Sequence, residues 1–397
     1  MLTKTAIEPI VPTQRVRVLE DLACSIVEQS AKLSAKLREP LRVQVSELTR
    51  WMHCYYSNLI EGQQTRVRDI EAALKQDFAA EPKKRDLQQL SLAHLEVQKW
   101  AAAQTGSPFS SAFICELHRQ FYEKLPASMR VATTSKGKRT PLVPGELRDR
   151  DVEVGTHLGP PHELVPKLLE HFQWRYESDD LSRIQRIIAI GASHHRLAWI
   201  HPFRDGNGRV VRLFSDALIR QLGIGGGGLW SLSRGFARNR TEYYQRLSNA
   251  DQQRSTSSAD DGRGHLSERA LWDFCEFTLR TMIDQITFME QLLDLDGLER
   301  RIEHYVRVVD AKVAPDGERI FLLLREALLR GEFPRGEAAR IVGAGDRTGR
   351  STLTLAIDAG LLISDTPKAA VRLGLPAKVH ETYFPQLFPA NQVTGTN

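Results

Sequence analysis

The sequence predicts a mostly α-helical protein with one small β-hairpin and a C-terminal winged helix-turn-helix. Three observations carry that prediction. Leucine, isoleucine and alanine recur at three- and four-residue steps from about Val18 to Trp100, and helical patterns return between Glu163 and Val308. The period disappears between about Arg130 and Pro161, where "VEVG" (Val152 to Gly155) alternates apolar and charged residues before a Gly-Pro-Pro stop. After Pro315 comes a helix, then "RGEAARIVG", a turn, "RTGRSTLTLAIDAGLL" and a short "ISDTPKAAVRLGLP", the order of a winged-helix module. At 397 residues the chain is too long for one typical domain. We divide it into an N-terminal helical region (1–105), a core (106–308) and the winged helix (316–390).

Along the chain, Pro40 sits where a second helix begins and Gly62 where that helix stops. The segment "TSKGKRTPLVPGELRDR" reads as loop. Helix resumes from Glu163 to Trp174, and again from about Ser182, where Ile184, Ile187, Ile188 and Gly191 share a face that leads into His201. The polar stretch "DQQRSTSSADDGRGH" at 251–265 reads as a mobile surface loop, and one long amphipathic helix is expected from Ser267 through Val308. Charged residues make up 26% and apolar ones 41%, the balance of a soluble globular protein, and a net charge of +5 does not by itself announce a nucleic-acid binder. Cys24, Cys54, Cys115 and Cys275 show no CxxC pair and no metal-ligand spacing, so reduced thiols are expected. No signal-peptide core opens the sequence, and "IFLLLREALL" is too short to span a bilayer; a cytoplasmic protein without membrane contact is the expectation.

The densest chemistry lies in "HPFRDGNGRVVR", residues 201 to 212. Two glycines around an asparagine favour a tight turn with positive φ, not helix, and its backbone N–H groups make an anion-binding nest. The following "RVVRLFSDALIRQL" is helical in period, so the nest lies at a helix N-terminus, where free N–H groups and the dipole favour phosphate. Arg209 and Arg212 share one face of the first turn. The dipole disfavours cations there, so both arginines make better sense as polyphosphate ligands. Asp205 offers a hard oxygen suited to Mg²⁺ held against phosphates, and His201 can accept a proton near neutral pH. Together these residues suit deprotonation of a hydroxyl that attacks a Mg²⁺-bound nucleotide phosphate. A Walker A loop is absent, and no HExxH supports zinc. His171, His194 and His195 are read as structural.

"HPFRDGNGRVVR" resembles the Fic family signature, HxFx(D/E)GNGRxxR, at every specified position. The resemblance implies a Fic-type helical core and AMPylation, the transfer of AMP from ATP to a Ser, Thr or Tyr hydroxyl of a protein. On that basis His201 deprotonates the hydroxyl, Asp205 holds Mg²⁺, and Gly206, Asn207 and Gly208 cradle the α- and β-phosphates. Arg209 and Arg212 grip the β- and γ-phosphates, and Phe203 packs inward. "RDRDVEVGTHLGPPHELVP" (Arg148 to Pro166) is similar to the family's flap, which holds a target chain by strand addition, with Val152 and Val154 clamping the incoming side chain. "RNRTEYYQRL" (Arg238 to Leu247) resembles the segment lining the adenine pocket, where Tyr243 or Tyr244 stacks on the base or both simply fill the core.

A second motif, "SNLIEG" (57–62), places Ser57 and Glu61 on one face at a helix C-terminus with Gly62 as the stop. A carboxylate is unfavourable there and calls for a cationic partner. The motif resembles the Fic inhibitory helix, (S/T)xxxE(G/N), which implies that Glu61 pairs with Arg212 and silences the enzyme; Gln63 stands where the family often has Asn. In the winged helix, Arg347, Arg350, Lys368 and Arg372 could meet DNA, but seven Lys/Arg against six Asp/Glu over 331–397 favour protein docking. De-AMPylation, transfer of another phosphate-linked group, a DNA-binding nucleotide sensor and a homodimer stay open.

Overall fold

In the computed structural model, which describes residues 2–133, 139–154, 157–254 and 265–388, four helices occupy the N-terminal region: α1 (Val16–Lys36), α2 (Glu39–Ile60), α3 (Val67–Leu74) and α4 (Pro82–Ala103). Pro40 lies in the first turn of α2, where an N–H would lack a partner anyway. The helix ends in a Schellman motif. Gly62, at φ +77°, donates its N–H to the Leu59 carbonyl (3.0 Å), and the Gln63 N–H reaches Asn58 (2.9 Å).

Helix α5 (Ser111–Glu123) leads into two hairpins, β1 (Val131–Thr133) with β2 (Arg139–Pro141) and β3 (Glu153–Val154) with β4 (His157–Leu158). The second lies where "VEVG" predicts it. The first falls in a segment that reads as loop, because strands of three residues are too short to show a period. Next come α6 (Val165–Tyr176), α7 (Arg183–Ile200), α8 (Asn207–Gln221), α9 (Leu232–Arg238) and α10 (Arg240–Asn249). A capping box between Ser182 and Gln185 opens α7.

The helix expected from 267 to 308 is broken. It ends as α11 (Glu268–Leu292), and Asp294 caps a separate α12 (Leu295–His304) by accepting the Gly297 N–H at 3.0 Å. Periodicity misses the break because Leu293, Leu298 and Ile302, on both sides of it, are all buried in the same core. Of the stretch 251–265, residues 255–264 lie outside the described ones. After Pro315 follow α13 (Gly317–Arg330), β5 (Glu332–Phe333), α14 (Ala338–Val342), α15 (Asp346–Asp358), β6 (Leu362–Ile363), β7 (Val371–Leu373) and α16 (His380–Tyr383), with the strands in the antiparallel order β5-β7-β6.

Helix α7 is the axis of the core, packing on α1, α6, α8 and α11. It is so enclosed that even its polar residues are internal: His194 bonds Ser215 and Tyr243, and His195 bonds Asp251. His171 likewise bonds Glu8. Helix α2 packs on α4, α8 and α9, which brings its C-terminal turn to the N-terminus of α8. The four cysteines are free thiols. Among the described residues no helix is long and apolar enough to cross a membrane.

Candidate functional site

The loop joining α7 to α8 is held by its own side chains. His201 closes α7 in the left-handed region (φ 49°), and Gly206 turns the chain again (φ 79°). Between them, Asn207 accepts the Phe203 N–H (2.9 Å) and donates to the Phe203 carbonyl (2.8 Å). The buried Phe203 ring stacks on His118 at 4.0 Å. His118 accepts the Gly145 N–H at Nδ1 (2.8 Å), so its Nε2–H donates to the Asp205 carbonyl (3.2 Å). The structure corrects the expectation that the Gly-Asn-Gly centre is non-helical. One left-handed residue, Gly206, reverses the chain, and α8 already begins at Asn207. The Asn207 side chain is committed to the loop, which leaves the first-turn backbone N–H groups as the anion donors.

His201 is half-buried beside this turn. Burial, with smaller contributions from His157 and Arg148, lowers its pKa to about 4, against the opposing Ala198 bond and Glu61. The imidazole is therefore neutral near pH 7, the form that accepts a proton. Burial raises the pKa of Asp205, against the Gly206 N–H (2.6 Å) and Arg209. Its carboxylate is a hard oxygen donor at the exposed side of the turn, which fits a divalent ion.

Both signature arginines are engaged by the end of α2. Arg212 Nη2 lies 2.6 Å from Glu61 Oε1 and 3.0 Å from the Ser57 carbonyl, and Nε donates to Ser57 Oγ at 2.9 Å. The Arg212 side chain is 2% exposed and that of Glu61 29%. Burial pushes the Glu61 pKa up, but Arg212 and then Arg209 outweigh it and hold it below the usual value. Arg209 donates to Asn58 (3.3 Å) and Gln63 (2.6 Å), two residues to which sequence reasoning assigned no partner. Asn58 is three positions before Glu61, so helical spacing already placed it toward the same face. Gly208 lies against the Glu61 carboxylate, so a Cβ there would make the end of the Glu61 side chain shift.

The remaining predicted residues spread around this centre. Tyr243 is in the core: it stacks on Phe236 at 4.4 Å and its hydroxyl meets His194 at 2.9 Å, so its ring is not presented to a ligand. Tyr244 is 40% exposed and bonds the Ile60 carbonyl at the end of α2 (3.3 Å). Val152 is half-buried just before β3, where its carbonyl accepts the Gly159 N–H; Val154 is in β3, and its side chain lies outside the described ones. Arg148, unassigned by sequence, is the staple of this hairpin. It donates to the carbonyls of His201 (2.8 Å), Arg150 (3.0 Å) and Pro160.

A neutral histidine, a carboxylate and two arginines lie around one helix N-terminus of a helical fold. The model of the Fic/DOC family matches residues 108–219 of the chain. The chain is 29% identical over 189 residues to a protein adenylyltransferase Fic of Nematostella vectensis, covering 47% of this chain and 40% of that protein. Against the protein of the same name from Drosophila erecta the identity is 27% over 175 residues, covering 44% and 32%. The chain thus spans well under half the length of these relatives. Among solved structures, a Fic family protein from Desulfovibrio desulfuricans G20 superposes with a TM-score of 0.55 at 18% identity, covering 91% of this chain and 98% of that one. Fic-1 from C. elegans superposes at 0.50 with 18% identity, covering 69% and 71%. Both likenesses are of fold.

Proposed function

We propose that the protein transfers AMP from ATP to a protein hydroxyl and that α2 restrains it. One observation carries this reading: Glu61 occupies Arg212 at the N-terminus of α8, where the anion of a polyphosphate would otherwise bind. In the reaction the hydroxyl oxygen attacks the α-phosphorus, the bond to the oxygen bridging to the β-phosphorus breaks, and pyrophosphate leaves. His201 takes the hydroxyl proton at its unprotonated ring nitrogen. The first-turn N–H groups of α8, with Arg209 and Arg212, hold the phosphates. Asp205 would hold Mg²⁺, which would neutralise phosphate charge. With Glu61 in place, Arg212 is withheld from the γ-phosphate and the nucleotide cannot seat productively.

The segment after Pro315 we read as a winged helix used for protein contact. Arg372 is spent on Asp365 (2.6 and 2.9 Å), and Arg340 and Arg330 share Glu337, which draws three cations of the segment away from DNA phosphates.

Labelled ATP tests the main reading. With label at the α-phosphate, Glu61→Gly should label itself about tenfold more strongly than the wild type, consistent with a coupling of roughly 1.4 kcal/mol. Label at the γ-phosphate should not transfer. Glu61→Gly with Arg212→Ala should fall back, because releasing an absent arginine gains nothing. Adding His201→Ala to Glu61→Gly should cost on the order of 10²–10⁴ in rate while ATP still binds. If Glu61→Gly transfers no α-label, the proposal fails.

A further inference from the structure

We propose that His157 and Asp251 form a latch that fixes the β3–β4 hairpin over His201, making His157 a positioning residue for the incoming hydroxyl; this rests on the AMP-transfer reading above. The hairpin has two residues per strand, too few to hold a position by its own ladder. Something outside it must set where its edge lies. Arg148 anchors its base. The far strand is anchored by His157, whose ring nitrogens make two directed contacts: Nε2 with the Trp199 carbonyl (3.0 Å) and Nδ1 with Asp251 Oδ2 (3.0 Å).

Asp251 is itself braced from the core. Its Oδ1 accepts from His195 Nε2 (2.9 Å), and the tautomer is set because His195 Nδ1 accepts from Arg196 Nη1 (2.9 Å). Arg196 in turn donates to the Pro9 carbonyl through Nε (3.2 Å) and Nη2 (2.9 Å). A continuous chain of bonds therefore runs from the hairpin into the centre of the molecule. It also passes beside the reacting group, since Trp199 belongs to the last turn of α7, which ends at His201, and the His157 and His201 rings are 6.1 Å apart. The next residue, Leu158, is 73% exposed on the open side of the hairpin. A strand added to this edge would have its distance from His201 set by the latch. An apolar contact could keep the hairpin folded, but it would not fix that distance.

The test uses full-length protein in the Glu61→Gly background. His157→Ala and Asp251→Ala should each speed amide exchange in peptides spanning 151–160 and leave those of α8 unchanged. With α-labelled ATP, the ratio of self-label to free AMP released by water should fall about 10- to 100-fold, the scale set by misplacing a reactant by about 1 Å. The affinity for ATP–Mg²⁺ should stay within about twofold, because the latch touches no phosphate ligand. His157→Asn, whose amide can still reach Asp251, should recover part of the ratio, and the double variant should be no worse than either single one. Unchanged exchange in His157→Ala overturns the latch. Faster exchange with an unchanged ratio overturns its role in positioning. If Glu61→Gly yields neither label nor free AMP, the AMP-transfer reading falls and the positioning role with it, while the exchange measurement still decides whether the latch exists.

Discussion

Arg212 is 2% exposed and Glu61 29%, so removing Glu61 strands a guanidinium in the interior. That change should cost on the order of 3 kcal/mol without nucleotide, and bound ATP should restore part of it by supplying another anion. Thermal melts with and without ATP–Mg²⁺ measure the difference. The titration signs are also defined. Glu61 has a lowered pKa in the folded state, so its contribution is present above the ordinary carboxylate value and is lost only as pH falls through the lowered one. Mild acidification should therefore leave the restraint in place. His201 is lowered to about 4, so the folded state disfavours its protonated form and gives up stability as pH falls below about 6.5 toward 4. In Glu61→Gly, kcat/KM should stay flat from about pH 8 to 6 and fall only toward about pH 4, because this ratio reports the free enzyme. Losing Glu61 moves the acid limb lower still, since Glu61 is one of the influences that raise His201. An acid limb centred near 6.5 would show that burial does not govern the base.

Helix α2 ends where it does because Gly62 accepts a left-handed conformation that closes the Schellman motif on Asn58 and Leu59. A Cβ at Gly62 would meet nothing within 4 Å, so Gly62→Ala tests conformation alone. Its cost should be about 1–2 kcal/mol. Much of that should appear as fraying of the turn that carries Glu61, giving self-labelling above the wild type and below Glu61→Gly. Labelling equal to the wild type would mean that the turn does not set the Glu61 position. This turn was legible in sequence because a glycine stop and an i, i+4 pair are local signals. The start of α7 near Ser182 and the helix after the signature loop were legible from their apolar periods. The β1–β2 hairpin and the break before α12 were not: one is shorter than any period, and the other keeps its apolar face across the break. Arg148 and the His157–Asp251 pair stayed hidden because their partners come from distant parts of the chain, and only the packed fold brings them together.

The last described residues close the molecule back onto α2. Tyr56 donates to the Leu387 carbonyl (3.1 Å), Tyr55 meets Phe388 edge-on (5.6 Å), and Trp51 lies 5.7 Å from His380. Arg234 ties the Gln386 carbonyl to α9 (2.9 Å), and Lys378 pairs with Asp310 (2.9 Å). Helix α2 is thus gripped by α8 at the turn that holds the arginines and by this segment along the turns just before it. Val379, Tyr383, Phe384 and Leu387 are all buried, at roughly 1.5–3 kcal/mol per side chain, so the segment is firmly packed on the body of the protein, and part of that packing bears on α2. Truncation after Pro376 should lower the melting temperature, loosen α2 and raise self-labelling from α-labelled ATP above the wild type. Combined with Glu61→Gly, the truncation should add little, because both changes free the same arginine. A truncated protein that melts lower but labels no more than the wild type would show that the C-terminal segment stabilises α2 without bearing on Arg212.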